Sequence, residues 1–241
     1  MKVVLEYDGS GFAGWQQQAH GRTVEAELKR ALREVTGVEH KVYAAGRTDA
    51  GAHAEGQVVS FETDGRITPQ RLVAALNGRL PKDVSVLSAE AAEDGFHARY
   101  SARWRRYRYR YLDRRARPAL ERGRCWHIGG PLDVDAMSAA SKALVGKHDW
   151  TSYCSASEPA AGRVREMRSV KVERRGDFVE LELVAEGFLR GLARSIAGAL
   201  AEVGRGRKPS EWVGEVLSAR DRRQAPRTAP AGGLTLVEVI Y

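Results

Sequence analysis

His40-Lys41-Val42-Tyr43-Ala44-Ala45-Gly46-Arg47-Thr48-Asp49-Ala50-Gly51-Ala52-His53-Ala54-Glu55-Gly56-Gln57-Val58-Val59-Ser60-Phe61 decides how the chain folds. Two strand-like runs, His40 to Ala45 and Gln57 to Phe61, flank a polar loop, and no helical spacing separates them. Glycines at 46, 51 and 56 permit positive-φ turns and the close approach of a second molecule. Asp49 follows Arg47 by two positions. A carboxylate exposed there can do chemistry, and the competing reading is an Asx-turn in which Asp49 only bonds its own backbone.

Outward from this β-loop-β core, the flanking patterns are regular. Lys2 to Tyr7 alternates and reads as a strand, and Thr23 caps a helix with the apolar stripe Val24, Leu28, Ala31, Leu32 and Val35. After the strands at about 40–45 and 56–62, Thr68-Pro69 opens a helix through Leu72, Ala75 and Leu76 that stops at Asn77-Gly78. Val84 to Ala89 is again a strand. The order is β-α-β-β-α-β, the ferredoxin-like arrangement.

A second half follows the same order. It has a strand at about 103–113, a helix at about 133–144 with Met137, Ala140 and Leu144 inward, and strands at about 168–174 and 178–185 joined by a hairpin at Gly176-Asp177. A helix from Phe188 to Val203, another from Ser210 to Ser218 and a strand from Leu234 to Ile240 complete it. The expected fold is α+β, with two ferredoxin-like halves, 1–102 and 103–241, mostly antiparallel sheets flanked by helices, and a cleft between the halves. Arg114 to Arg124, Ser155 to Gly162 and Arg220 to Gly233 read as loops. The last is expected to be solvated, and the first two are candidates for RNA backbone contacts.

The chain has 241 residues, 43% of them apolar, enough to bury a real core. No apolar run reaches the roughly 18 residues of a membrane span, and Met1 to Asp8 lacks the apolar stretch of a secretory signal, so a cytoplasmic location is expected. Cys125 and Cys154 stand far apart and the histidines form no ligand cluster, so neither a metal site nor a disulfide is expected. The net charge is +8, and of the 39 basic residues eight are Lys, which leaves 31 Arg. The sign of that charge suits nucleic acid; the preference for Arg could equally reflect genome composition.

Aromatic and guanidinium side chains interleave most densely from Phe96 to Tyr111. With a period of two, Tyr107, Tyr109 and Tyr111 share one strand face and Arg106, Arg108 and Arg110 the other. Tyr109 and Tyr111 read as core residues, while flat rings backed by Arg are also what RNA recognition uses. On the helix from Phe188, Leu189, Leu192, Ile196, Leu200 and Val203 form one stripe. Arg190 and Arg194 lie on the other side beside the small residues Ala197, Gly198 and Ala201, which let a second element come close.

Gly46-Arg47-Thr48-Asp49-Ala50-Gly51-Ala52-His53-Ala54, followed by Gly56-Gln57-Val58-Val59-Ser60-Phe61, resembles the catalytic signature of the tRNA pseudouridine synthase A family. Gly187-Phe188-Leu189-Arg190-Gly191-Leu192-Ala193-Arg194-Ser195-Ile196-Ala197-Gly198 resembles that family's second signature, and Tyr7 to Gln18 its opening motif, to which no catalytic role is assigned. Departures are mild. Ala52 replaces a larger aliphatic, Leu192-Ala193 replaces Met-Val, and Ser155 to Gly162 matches poorly. The resemblance implies Asp49 as the catalytic carboxylate, Tyr107 stacked on the target uracil, Arg194 paired with the aspartate and Arg47 at the RNA. Phe96, His97, Ala98, Arg99 and Tyr100 are expected to bind RNA. It further implies uridines 38 to 40 of the tRNA anticodon stem-loop as substrate, a homodimer in which each tRNA touches both subunits, and no cofactor, because the reaction is an isomerisation. Guanidinium groups within about 4–6 Å would lower an aspartate's pKa by roughly one to three. Two other readings remain open at this point. One is an RNA-binding module without catalysis, and the other is a hydrolase using Glu55 as a second acid.

Overall fold

The computed structural model describes residues 1–64, 67–225 and 227–241. It divides into two compact units, Met1–Arg103 with Thr235–Tyr241, and Trp104–Leu234. Among the described residues there are ten strands, mostly antiparallel, and five α-helices.

In the first unit, β1 (Lys2–Tyr7) pairs antiparallel with β3 (His53–Ser60) on one side and β4 (Val84–Glu90) on the other. The two-residue β2 (Tyr43–Ala44) pairs with the far end of β3, Tyr43 opposite Ser60. That strand is shorter than the 40–45 expected, because His40 is held by its ring between Thr36 Oγ1 and the Glu62 carbonyl, each at 2.9 Å. β3 starts at His53, earlier than expected, because Ala54 already pairs with Tyr7 of β1. β10 (Leu234–Ile240) runs parallel to β3, Thr235 opposite His53 and Leu236 opposite Ala54. It was counted by sequence with the second half. Gly56 makes room for it, since a Cβ there would collide with the Val237 carbonyl.

Helix α1 (Val24–Thr36) is capped as its sequence predicts. Thr23 Oγ1 accepts from Ala26 N, Glu25 and Glu27 sit in the first turn, and Gly37 closes the helix at φ 77°. Val24, Leu28, Ala31 and Leu32 are fully buried. At roughly 1.5–3 kcal/mol for each large aliphatic side chain, their burial far outweighs the local helix propensity. Helix α2 (Pro69–Asn77) begins with Pro at N1 and turns Leu72 and Leu76 inward.

In the second unit β5 (Trp104–Leu112) pairs with β9 (Phe178–Ala185), and β9 pairs with β8 (Val164–Arg175) through the hairpin at Gly176. The short strands β6 (Trp126–His127) and β7 (Gly146–Asp149), which sequence reasoning did not find, border β5 and β8. Helix α3 (Val134–Ser141) buries Met137 and Ala140, and a 3-10 turn continues it to Leu144. Helix α4 (Leu192–Gly204) starts four residues later than expected. Gly191, at φ 77°, breaks the helical path, and the Arg190 amide donates to Glu158 Oε1. Helix α5 (Trp212–Ala219) follows.

The stretch 220–233 was expected to be a solvated loop. Instead its described part packs on α4: Ala229 is buried and donates its amide to the Arg194 carbonyl at 3.1 Å, while Arg222 Nη2 donates to Thr228 Oγ1. Pro226 lies outside the described residues. The reason is the small face of α4, where a Cβ on Gly198 would strike the Arg227 carbonyl.

Candidate active site

The loop between β2 and β3 is held from below by the first strand and the segment after it. The Tyr7 hydroxyl lies 2.8 Å from Thr48 Oγ1 and 3.4 Å from Gln57 Nε2, which also donates to the Gly46 carbonyl at 2.7 Å. Tyr7 accepts from Gln57 and shares a hydrogen bond with Thr48 in which either hydroxyl can donate. All three side chains are buried, and burial pushes the Tyr7 phenol up to about 12, so it stays neutral at ordinary pH.

Backbone bonds complete the clamp. Trp15 N donates to the Thr48 carbonyl at 3.1 Å, Gly51 N to the Phe12 carbonyl at 3.2 Å and Ala52 N to the Asp49 carbonyl at 3.0 Å. Gly9 N donates to Nδ1 of the buried His53 at 3.0 Å. Two glycines permit this approach. Gly14 sits at φ 102°, where a Cβ would press on the Thr48–Ala50 backbone, and a Cβ on Gly9 would overlap the Ala52 carbonyl. Held in this way, the loop leaves Arg47 exposed and Asp49 half-buried. Sequence reasoning gave Tyr7 to Gln18 no role in chemistry. Its glycines at 9 and 14 were the visible signal of a close backbone contact.

Phe96 to Tyr100 leave β4's far side as a short turn in the same unit. Ala98 is fully buried with its amide on Ser60 Oγ at 3.0 Å, and the Phe96 ring packs on Tyr241 at 4.9 Å. Of those five residues Ala98 is buried, Phe96 and His97 are half-buried, and Arg99 and Tyr100 are exposed.

In the second unit the alternation of β5 holds. Tyr107, Tyr109 and Tyr111 are buried on one face, and Arg106, Arg108 and Arg110 are half-buried on the other. Arg110 pairs with Glu121 at 2.8 Å. The Tyr111 hydroxyl donates to the Ala197 carbonyl at 2.9 Å, which seats α4 on the tyrosine face. Tyr109 donates to the Pro230 carbonyl at 2.8 Å and Arg194 Nε to the adjacent Ala229 carbonyl at 2.8 Å, so one short segment positions both side chains. Tyr107 meets the edge of Phe188 at 4.6 Å between ring centres. The structure thus places Arg47 and Asp49 in one clamped loop, and Tyr107 and Arg194 on two elements that pack together in the other unit.

Among the described residues no helix is long and apolar enough to cross a membrane. A family profile described as tRNA pseudouridine synthase matches residues 3–101 and 140–241. Curated relatives align along almost their whole length. "tRNA pseudouridine synthase A" of Moorella thermoacetica is 44% identical over all of this chain and 99% of its own. The protein of that name from Caulobacter vibrioides is 44% identical over 100% of this chain and 98% of its own, and that from Myxococcus xanthus 42% identical over 100% and 91%. The profile covers the Asp49 loop, Phe96 to Tyr100 and the Arg194 helix alike, and the chain belongs to the tRNA pseudouridine synthase family, isomerases that act on tRNA.

Proposed function

We propose that the chain converts uridine to pseudouridine at positions 38, 39 and 40 of the tRNA anticodon stem-loop, with Asp49 as its catalytic carboxylate. The N1–C1′ glycosidic bond breaks, the uracil turns over, a C5–C1′ bond forms, and the proton leaving C5 is balanced by the one gained at N1. No net redox change or water enters the equation. One carboxylate therefore suffices where hydrolysis of such a bond usually uses two.

The observation that carries this reading is the clamped loop: a half-buried Asp49 two positions after an exposed Arg47, in a loop whose backbone is fixed from below. Preorganisation of this kind supplies catalysis by positioning. Arg47 contacts the RNA at the point where the uridine leaves its stack, a displacement that costs a few kcal/mol. Tyr107 stacks on the uracil and helps remove the C5 proton after rejoining, and Arg194 serves as the carboxylate's cationic partner. In the same reading each half is a ferredoxin-like unit, His97, Arg99 and Tyr100 touch RNA, and a homodimer in the cytoplasm holds each tRNA with both subunits.

The test is to incubate anticodon stem-loop RNA and full tRNA with wild type and with Asp49→Ala and to map pseudouridine. Wild type should modify positions 38 to 40, and the variant should lose activity by at least about 10²-fold. An alanine variant that still modifies the RNA removes Asp49 from the chemistry.

A further inference from the structure

We propose that Tyr43, His97 and Tyr100 form a stacking platform for an unpaired base of the tRNA, remote from the uridine that reacts. The identity of the RNA rests on the functional reading above. The three rings touch in series with tilted planes: Tyr43 to His97 is 4.4 Å between centroids at 46°, and His97 to Tyr100 is 4.4 Å at 35°. Its outer member, Tyr100, is 77% exposed. Cations stand at both ends. Lys41 Nζ is 5.1 Å from the Tyr43 ring centre and the Arg99 guanidinium 5.7 Å from that of Tyr100.

The series is preformed. Arg99 N and Tyr100 N both donate to His97 Nδ1, at 3.1 and 3.3 Å, His97 N donates to Ser101 Oγ at 3.1 Å, and Ser101 N returns to the His97 carbonyl at 2.9 Å. These bonds fix the ring plane of His97 and assign its proton to Nε2. Beneath, Ser60 anchors both partners of the stack, through its register with Tyr43 and through the Ala98 amide on its hydroxyl. Little ordering entropy is left to lose when a planar group lands on Tyr100.

Position and charge select the occupant. His53, next to the Asp49 loop, and Ser60 are seven strand steps apart, roughly 23 Å, so the base on Tyr100 is not the one at the carboxylate. Rings flanked by Lys and Arg suit a nucleobase with its phosphates, and only an unpaired base offers a free face. A groove of about 850 Å³ lined by Tyr43 but not by His97 or Tyr100 mixes Glu39, Glu62 and Asp64 with Lys41 and Arg71, a poor surface for phosphate. The RNA strand therefore runs on the Tyr100 side.

The experiment measures the affinity of full tRNA for wild type, Tyr100→Ala, Tyr100→Phe and Arg99→Ala across a salt series, alongside pseudouridine mapping. Stacking energies predict a loss of about five- to a hundredfold for Tyr100→Ala with an unchanged salt slope, near wild-type binding for Tyr100→Phe, and a salt slope smaller by about one for Arg99→Ala, whose guanidinium stands at the Tyr100 end. Unchanged affinity of Tyr100→Ala, or equal losses for the Phe and Ala variants, overturns the platform. If the affinities behave as expected but wild type forms no pseudouridine, the platform stands and the functional reading falls.

Discussion

The Tyr7 hydroxyl and Thr48 Oγ1 share a hydrogen bond of 2.8 Å, joining the buried first strand to the residue beside Asp49. Tyr7→Phe leaves Thr48 and Gln57 short of a partner in a buried place, which costs about 1–3 kcal/mol in chemical denaturation. The phenol also predicts alkaline behaviour. Its folded pKa of about 12 exceeds the ordinary 10, so the stability it contributes is complete below pH 10 and is lost as pH rises toward 12, by roughly 3 kcal/mol. Urea midpoints measured from pH 9 to 12 should fall, and less steeply in Tyr7→Phe.

The glycine clamp separates two kinds of substitution. Gly9→Ala drives a methyl into the Ala52 carbonyl and Gly14→Ala strains a φ of 102° against Thr48, so both should displace the Asp49 loop and depress turnover by more than tenfold, as expected for a misplacement of about 1 Å. Gly37→Ala, at φ 77° in open space, should cost only about 1 kcal/mol of stability and spare turnover. Steady-state kinetics with thermal melts on all three distinguishes loop geometry from general destabilisation. Equal kinetic losses would remove the clamp from catalysis.

Asp113 is buried and accepts from Arg174 Nη2 at 2.7 Å and from Leu132 N at 3.1 Å. Burial alone would raise its pKa, but these bonds outweigh it and hold the carboxyl below its usual range. That contribution is present above the ordinary value near 3.9 and is lost as pH falls through the lower folded value. Asp113→Asn should destabilise by about 1–2 kcal/mol at pH 7, a modest figure because Arg174 is partly exposed and screened. The gap should close below about pH 4, and a gap independent of pH would show that charge is not its origin.

Tyr107→Phe keeps the ring and its edge contact with Phe188 and removes only the hydroxyl. With the role proposed above, tRNA affinity should hold while single-turnover pseudouridine formation falls by about 10²- to 10⁴-fold. Tyr107→Ala should lose affinity as well. A fully active phenylalanine variant would restrict Tyr107 to stacking.

Local signals were legible in the sequence where the physics is local. Thr23 marks the start of α1, Pro69 opens α2, and the tyrosines of β5 alternate into the core as their spacing requires. The 42–44% identical relatives support the family reading drawn from the Asp49 and Arg194 motifs. What sequence left unread depends on distant partners. Gly9 and Gly14 are turn residues until the Asp49 loop packs on them, and 220–233 looks solvated until Gly198 provides its seat. Leu234 to Ile240 is visibly a strand, but its neighbour β3 lies about 180 residues earlier, where no spacing rule reaches.

That last pairing has a consequence for biosynthesis. Residues 1–103 leave the ribosome well before 235–241, and until those arrive the parallel neighbour of His53 and Ala54 is missing, as are the Ile240 carbonyl for Arg103 and the Tyr241 hydroxyl on Ala98. Trp104–Leu234 can condense vectorially, whereas the unit bearing Asp49 must close by one late, long-range event. The nascent chain therefore carries the clamp of its Asp49 loop from the start, in Tyr7 to Trp15, but completes the parallel edge of β3 only when translation is nearly finished.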